Sequence, residues 1–260
     1  MNEALLIVGH GSRDAEATAE FLALGALLAA RRARGQTAAA FLEFGRPSIG
    51  EAIDELAAHG ASEICCQPAM LFAARHVRTD VPFQVRAAAE HWPLATIRVG
   101  GAIDAHDGLL ELCRLRWNDA LRSRPPSDPK GTLLLIAGRG ASEPGATARL
   151  AAIARQLAER YGVADARPCF SGLASPLVPD ALAKAVDDGF RRVVVQPYFL
   201  FSGVLVKKIH EWTRDCAARH PDLDVFATNH LGVHPLLADA IEDRARAARL
   251  LVGRECSAQT

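Results

Sequence analysis

The sequence predicts an α/β protein of two similar lobes, each a four-stranded parallel sheet flanked by helices. Three observations predict it. Short apolar runs alternate with longer stretches of helical periodicity, a proline-dense stretch interrupts that alternation near the middle, and the pattern then begins again.

The first apolar run is Leu5-Leu6-Ile7-Val8. An alanine-rich amphipathic stretch from about Asp14 to Arg32 follows, then a second run from Ala38 to Leu42. Helical periodicity from about Ser48 to His59 precedes Ile64 to Gln67, and a third such stretch from about Val77 to His91 precedes Thr96 to Val99. A fourth helix is expected from Gly108 to Leu121. Strands separated by helices imply a parallel sheet covered on both faces. Arg124-Pro125-Pro126-Ser127-Asp128-Pro129-Lys130-Gly131 is the one stretch dense in proline and polar residues and reads as a linker. The expected division is therefore a first lobe over 1–124, a linker over 125–131 and a second lobe over 132–260, opening with Leu133-Leu134-Leu135-Ile136.

The second lobe repeats the first at a constant offset of 129 residues. Gly9 falls on Gly138, Gly11 on Gly140, Phe41 on Phe170, Pro47 on Pro176 and Gly60 on Gly189. Gln67-Pro68 falls on Gln196-Pro197, Leu71-Phe72 on Leu200-Phe201 and Val77 on Val206. One ungapped offset over this span is more than shared propensity supplies, and two copies of one unit facing across a cleft is the economical expectation.

Composition narrows the function classes. Of 260 residues, 50% are apolar and 23% charged, as in ordinary globular proteins. Lys plus Arg equals Asp plus Glu at 30 each, so the basic excess of a nucleic-acid binder is missing and an anionic ligand must be met by a local cluster. The six cysteines form no C-x-x-C pair, and Cys65-Cys66 lies inside an apolar run, which is weak evidence for either disulfides or a zinc or iron–sulfur site. No apolar run approaches membrane-spanning length, and the start lacks a signal peptide's basic and apolar regions. The expectation is a cytoplasmic protein without membrane or nucleic-acid partners.

The two copies differ where chemistry is possible. His10 falls on Arg139, Glu43 on Gly172 and His76 on Leu205, while the glycine, proline and apolar framework around them is kept. His10 follows the first strand, Glu43 the second, and His76 sits in the loop after the third. In open parallel sheets such loops converge beyond the carboxyl ends of the strands, where ligands bind. Two imidazoles and a carboxylate there suit a borderline divalent metal or proton relay. Singly, each has a plainer explanation: His10 as a polar turn residue, Glu43 as a solvated strand end, His76 as a helix-start residue. Their joint replacement in the second copy favours a shared site. His59, His91, His106, His210, His220, His230 and His234 have no such argument and read as structural or surface. Arg13, Arg46, Arg75 and Arg78 lie near the same loops, with Arg139 on the second copy, and suit a ligand carrying many carboxylates.

These motifs resemble a known family. Val8-Gly9-His10-Gly11-Ser12-Arg13, Phe41-Leu42-Glu43 with Pro47 behind it, Gln67 to Val77 and Asp80-Val81-Pro82 are similar to the sirohydrochlorin chelatases of the CbiX and SirB type. Gln196 to Gly203 and Leu231 to Pro235 resemble the second half of the long, duplicated members. The resemblance implies a ferrochelatase-like bilobal fold and the eight-carboxylate tetrapyrrole sirohydrochlorin, on the routes to sirohaem and cobalamin, as substrate. It implies catalysis by His10, Glu43 and His76, with metal held at His10 and His76. Arg13, Arg46, the loop of Met70, Leu71, Phe72, Ala73, Ala74 and Arg75, and Arg139 are implied to meet the macrocycle. Arg139 and Leu205 at the histidine positions imply that the second copy holds no second site.

The implied reaction is insertion of a divalent metal, Co2+ favoured on family frequency with Fe2+ close behind, by a monomer whose duplication supplies both lobes. The end from Val252 to Thr260 carries no histidine-rich extension, so the metal stays open between these two and nickel. No cofactor beyond the substrate metal is expected, and no P-loop motif is present. Competing classes are a metal or tetrapyrrole carrier without catalysis and histidine-dependent phosphoryl transfer. The second lacks its Arg-His-Gly order, since Gly9 precedes His10 and Val77 follows His76.

Overall fold

The computed structural model describes residues 2–33, 35–140 and 144–250, and the tail with Val252 and Cys256 lies outside them. The chain runs β1 (Glu3–Gly9), α1 (Ala15–Arg31), β2 (Gln36–Phe41), α2 (Ile49–Ala58), β3 (Glu63–Pro68), α3 (Val81–Ala89), β4 (Thr96–Val99) and α4 (Asp107–Leu121). It continues with β5 (Thr132–Gly138), α5 (Pro144–Tyr161), β6 (Asp165–Phe170), α6 (Val178–Asp187), β7 (Arg192–Pro197), α7 (Val204–Arg219), β8 (Asp224–Ala227) and α8 (Pro235–Leu250). A π-helical turn, His76–Asp80, leads into α3. The strands form two four-stranded sheets of order β2-β1-β3-β4 and β6-β5-β7-β8, with every neighbouring pair parallel. The expected fold class is the observed one.

Strand alternation explains how each sheet is covered. In β1, Ala4, Leu6 and Val8 join Ile64 and Cys66 of β3 in a buried cluster with Ile49, Ile53 and Leu56 of α2 and Val81 and Val85 of α3. The intervening Leu5 and Ile7 face the other way and are also fully buried, so β1 is apolar on both faces, as a central parallel strand must be. On that second face Gly25 of α1 closes on Ile7, where an added Cβ would stand 3.5 Å from the side chain. The second sheet repeats the arrangement, with Leu133, Leu135 and Ala137 packed on Val178, Leu182 and Ile209.

The compact units of the packed chain differ from the expected lobes of 1–124 and 132–260. The chain divides into a first unit of Met1–Gly108 with Val233–Thr260, and a second of Leu109–Gly232. In the second unit, Gln196 Nε2 donates to the Cys113 carbonyl of α4 at 2.7 Å, and Trp117 of α4 stacks on Tyr161 with ring centroids 4.4 Å apart. In the first unit, α8 buries Leu237, Ala238, Ala240, Ile241 and Ala245, and its Ala245 carbonyl lies 3.7 Å from Cys65 Sγ. Each sheet thus takes its last covering helix from the other repeat. Nor is 125–131 a free linker. Arg192 donates to the Pro125 carbonyl at 2.7 Å, Ala164 N–H donates to that of Pro129 at 3.0 Å, and Pro129–Gly131 forms a 3-10 turn. Proline content marked a boundary in the repeat, whereas apolar surface determines which sheet each helix covers.

Cys65, Cys66, Cys113, Cys169 and Cys216 are free and buried. Burial pushes the Cys113 thiol up to about 12 and raises Cys66 and Cys169 as well, so they stay protonated and act as apolar packing. No helix among the described residues is long and apolar enough to cross a membrane.

Ending the chain at Gly232 removes α8 and, through buried Leu237 and Ile241 alone, about 3–6 kcal/mol of apolar stabilisation. Hydrogen exchange should then show β1 and β3 losing protection while β5 and β7 keep theirs.

Candidate active site

The site of the first unit begins where the β1–β2 ladder runs past the strand ends. Leu42 N–H donates to the Gly9 carbonyl at 2.8 Å and Glu43 N–H to that of His10 at 3.0 Å, which sets the two exit turns side by side. Gly11, at φ +92°, makes this possible: a Cβ there would sit 1.7 Å from the Glu43 carbonyl oxygen. β1 is also where the strand order reverses, between β2 and β3, which is the position at which open α/β sheets bind ligands.

His76 reaches the same point from the exit of β3. The backbone after that strand is held by Ile103 N–H to the Met70 carbonyl at 2.9 Å and Asp104 N–H to the Leu71 carbonyl at 2.7 Å. The π turn starts at His76, with Val81 N–H reaching back to the His76 carbonyl, a rare geometry that recurs at functional sites. His10 Nε2 and His76 Nε2 lie 3.1 Å apart, with the ring planes at 82° and the centroids 4.5 Å apart.

The outer nitrogens decide the protonation pattern. His76 Nδ1 faces Asp80 Oδ2 at 2.8 Å, and His10 Nδ1 faces the Gly11 carbonyl at 3.2 Å. A carbonyl accepts only, and an ionised carboxylate likewise, so each Nδ1 carries its hydrogen. In the neutral rings both Nε2 atoms therefore present lone pairs to each other, and that arrangement requires a proton or a cation between them. Two imidazole ligands of one divalent ion, bonded at about 2.0–2.1 Å, stand roughly 2.8–3.0 Å apart in octahedral and roughly 3.3–3.4 Å apart in tetrahedral coordination. The observed 3.1 Å is a chelating separation.

Asp80 is a residue that the sequence reading missed. Its signal was present: it lies four residues after His76, and the repeat offset replaces it with Ile209, as it replaces the three singled out. The carboxylate orients His76 and stabilises that ring once protonated.

The other expected site residues divide. The Glu43 carboxylate is exposed and makes no hydrogen bond or ion pair among the described residues. Correspondingly, no group of three His, Cys, Asp or Glu side chains there converges as a metal cluster. The histidine pair is assembled, and Glu43 is its neighbour through the backbone. Arg13 lies over the Phe44 ring at 4.9 Å, Arg75 Nε is 3.6 Å from Asp80 Oδ1, and Arg46 is ion-paired with Glu51 at the start of α2. Met70 packs on the core, Leu71, Phe72 and Ala74 are partly buried, and Ala73 is exposed. In the second unit Arg139 is exposed at the end of β5.

The second unit keeps the turn without the chemistry. Ser171 N–H donates to the Gly138 carbonyl at 2.9 Å, and Gly140, at φ +84°, closes on the Gly172 carbonyl. α7 starts at Val204 as a regular helix where the first unit has its π turn. Of the histidines read as structural, His106 accepts from Gly108 N–H at the start of α4 and His234 from Leu236 N–H at the start of α8. Burial, then the charges of His230 and Arg214, hold His210 below the usual histidine range.

Two parallel sheets in one chain, with one converging imidazole pair at the strand exits of the first, define a duplicated α/β protein of chelatase type. The CbiX family pattern matches residues 4–120 and again 133–248. The chain belongs to the CbiX family. It is 31% identical over 246 residues to a sirohydrochlorin cobaltochelatase of Priestia megaterium, covering 94% of this chain and 79% of that protein. A sirohydrochlorin ferrochelatase of Bacillus subtilis (strain 168) is 28% identical over 247 residues, covering 95% of this chain and 92% of its own length. The structure of SirB from Bacillus subtilis with Fe3+ superposes with a TM-score of 0.83 at 26% identity, covering 95% of this chain and 96% of that one.

Gly11→Ala should cost on the order of 2–4 kcal/mol, because both the φ and the Glu43 carbonyl oppose a Cβ. Thermal denaturation checks the loss, and Gly50→Ala, which meets nothing within 4 Å, serves as the control.

Proposed function

We infer that this chain inserts a divalent metal ion into sirohydrochlorin, acting as a lyase of tetrapyrrole biosynthesis. The observation that carries the reading is the pair of Nε2 atoms 3.1 Å apart with both outer nitrogens anchored. The names of the relatives, which include both a cobaltochelatase and ferrochelatases, support the substrate. Co2+ is the first metal of this reading and Fe2+ the second. The reading needs no cofactor beyond the metal substrate, and it places the chain in the cytoplasm as a monomer, its duplication supplying both units.

Insertion removes two pyrrole N–H protons as the ion enters the ring. His10 and His76 hold the incoming ion, and as it leaves them their freed Nε2 atoms accept those protons. The Asp80 carboxylate, on His76 Nδ1, stabilises the resulting imidazolium. Glu43, exposed beside His10, takes the proton on to solvent. Arginine side chains around the rim meet the carboxylates of the macrocycle.

His10→Ala and His76→Ala should each lower the insertion rate by roughly 100-fold or more, while circular dichroism shows an intact fold. Asp80→Asn should lower it by about 10–100-fold. Ultraviolet–visible spectra of metal-free sirohydrochlorin incubated with Co2+, Fe2+ and Ni2+ in competition read both rate and metal. Binding of the ring and the ions without any spectral conversion would make the chain a carrier.

Glu43→Gln keeps the shape of the side chain and loses its charge. It should lower kcat more than it raises KM, by roughly 10-fold or more in steady-state insertion assays. A change confined to KM would make Glu43 a binding residue.

A further inference from the structure

Phe44, directly after Glu43, is held in the left-handed region at φ 51° with its side chain 54% exposed. A bulky residue is disfavoured there, whereas glycine takes the same φ without cost. Solvent exposure of a large aromatic ring adds nothing to folding. The residue therefore strains the backbone while leaving half of its ring in solvent, and such strain points to a ligand.

The second unit has the same feature. Leu173, the counterpart of Phe44, has φ 57° and is 68% exposed. The turn requires a left-handed residue, and both copies fill it with a large apolar side chain instead of glycine.

What surrounds Phe44 identifies the ligand chemistry. Its Cβ lies 3.6 Å from the Cβ position of Gly11, so the ring stands on the turn that carries His10. The Arg13 guanidinium sits 4.9 Å from the ring centroid, a cation–π pair exposed to solvent on its outer side. An apolar face beside a cation, on the turn that carries His10, fits a flat conjugated ring edged with carboxylates.

We propose that Phe44 is the stacking platform for one face of the macrocycle and that Arg13, braced on it, pairs with a carboxylate at the ring's edge. The identity of the macrocycle rests on the metallochelatase reading. Phe44 is a positioning residue: it holds the ring over the histidine pair without handling the metal or protons.

The test uses the full chain and uroporphyrin, a flat octacarboxylate ring, titrated by fluorescence quenching. A Co2+ titration and a melting curve are recorded for each variant, with insertion kinetics on sirohydrochlorin alongside. Phe44→Gly is expected to weaken uroporphyrin binding by roughly tenfold or more, raise KM for sirohydrochlorin, keep Co2+ binding, and leave the melting midpoint unchanged or higher. Phe44→Tyr should restore binding. The proposal is overturned if Phe44→Gly binds uroporphyrin like wild type, or if its loss comes with a lower melting midpoint and weaker Co2+ binding, which marks a structural role. Should wild type insert metal while Phe44→Gly shows an unchanged KM, the stacking role alone falls. Should wild type neither insert metal nor bind uroporphyrin, the metallochelatase reading falls with it.

Discussion

The site depends on one backbone constraint, the continuation of the β1–β2 ladder past the ends of the strands. Two hydrogen bonds, from Leu42 to Gly9 and from Glu43 to His10, join the exit turns, and the missing Cβ of Gly11 allows them to close. With the turns locked, His10 has a fixed origin at the point where the strand order reverses. Everything chemical is then a matter of which side chains leave this frame. The second unit has the equivalent contact from Ser171 to Gly138 and the same close approach of Gly140 to Gly172, yet presents arginine, glycine, leucine and isoleucine in place of His10, Glu43, His76 and Asp80. A preserved frame with altered occupants is what duplication followed by loss of one site leaves behind.

A pair of lone pairs 3.1 Å apart is unfavourable without something between them. Asp80 and the Gly11 carbonyl fix both rings from behind. On the metallochelatase reading this is preorganisation for a cation, with rings that need little rearrangement to receive an ion. The π turn contributes by starting at His76 and ending at Asp80, so that ring and carboxylate face each other across one short segment.

Helix α8 has a different kind of importance. It is far from the site in sequence and supplies none of its residues, yet it covers β3, the strand from whose exit His76 is reached. The last helix among the described residues thus supports the strand from whose exit the His76 ring is placed.

The sequence by itself determined the elements, their parallel arrangement, the duplication and the two histidines that the fold brings together. It could do so because period-two and helical patterns are local, and because an ungapped repeat lets each position be compared with its counterpart. The compact units depart from the repeat boundaries for a physical reason. The apolar stripes of α4 and α8 are alike, and nothing local in them says which sheet will bury them. Asp80 was overlooked because an acidic residue four places after a histidine is common on helix surfaces, and only a 2.8 Å contact distinguishes it. The same holds for the separation of the two imidazoles, the solvent-exposed carboxylate of Glu43 and the left-handed backbone of Phe44. These depend on where three strand exits meet in space, and tertiary packing alone fixes that distance.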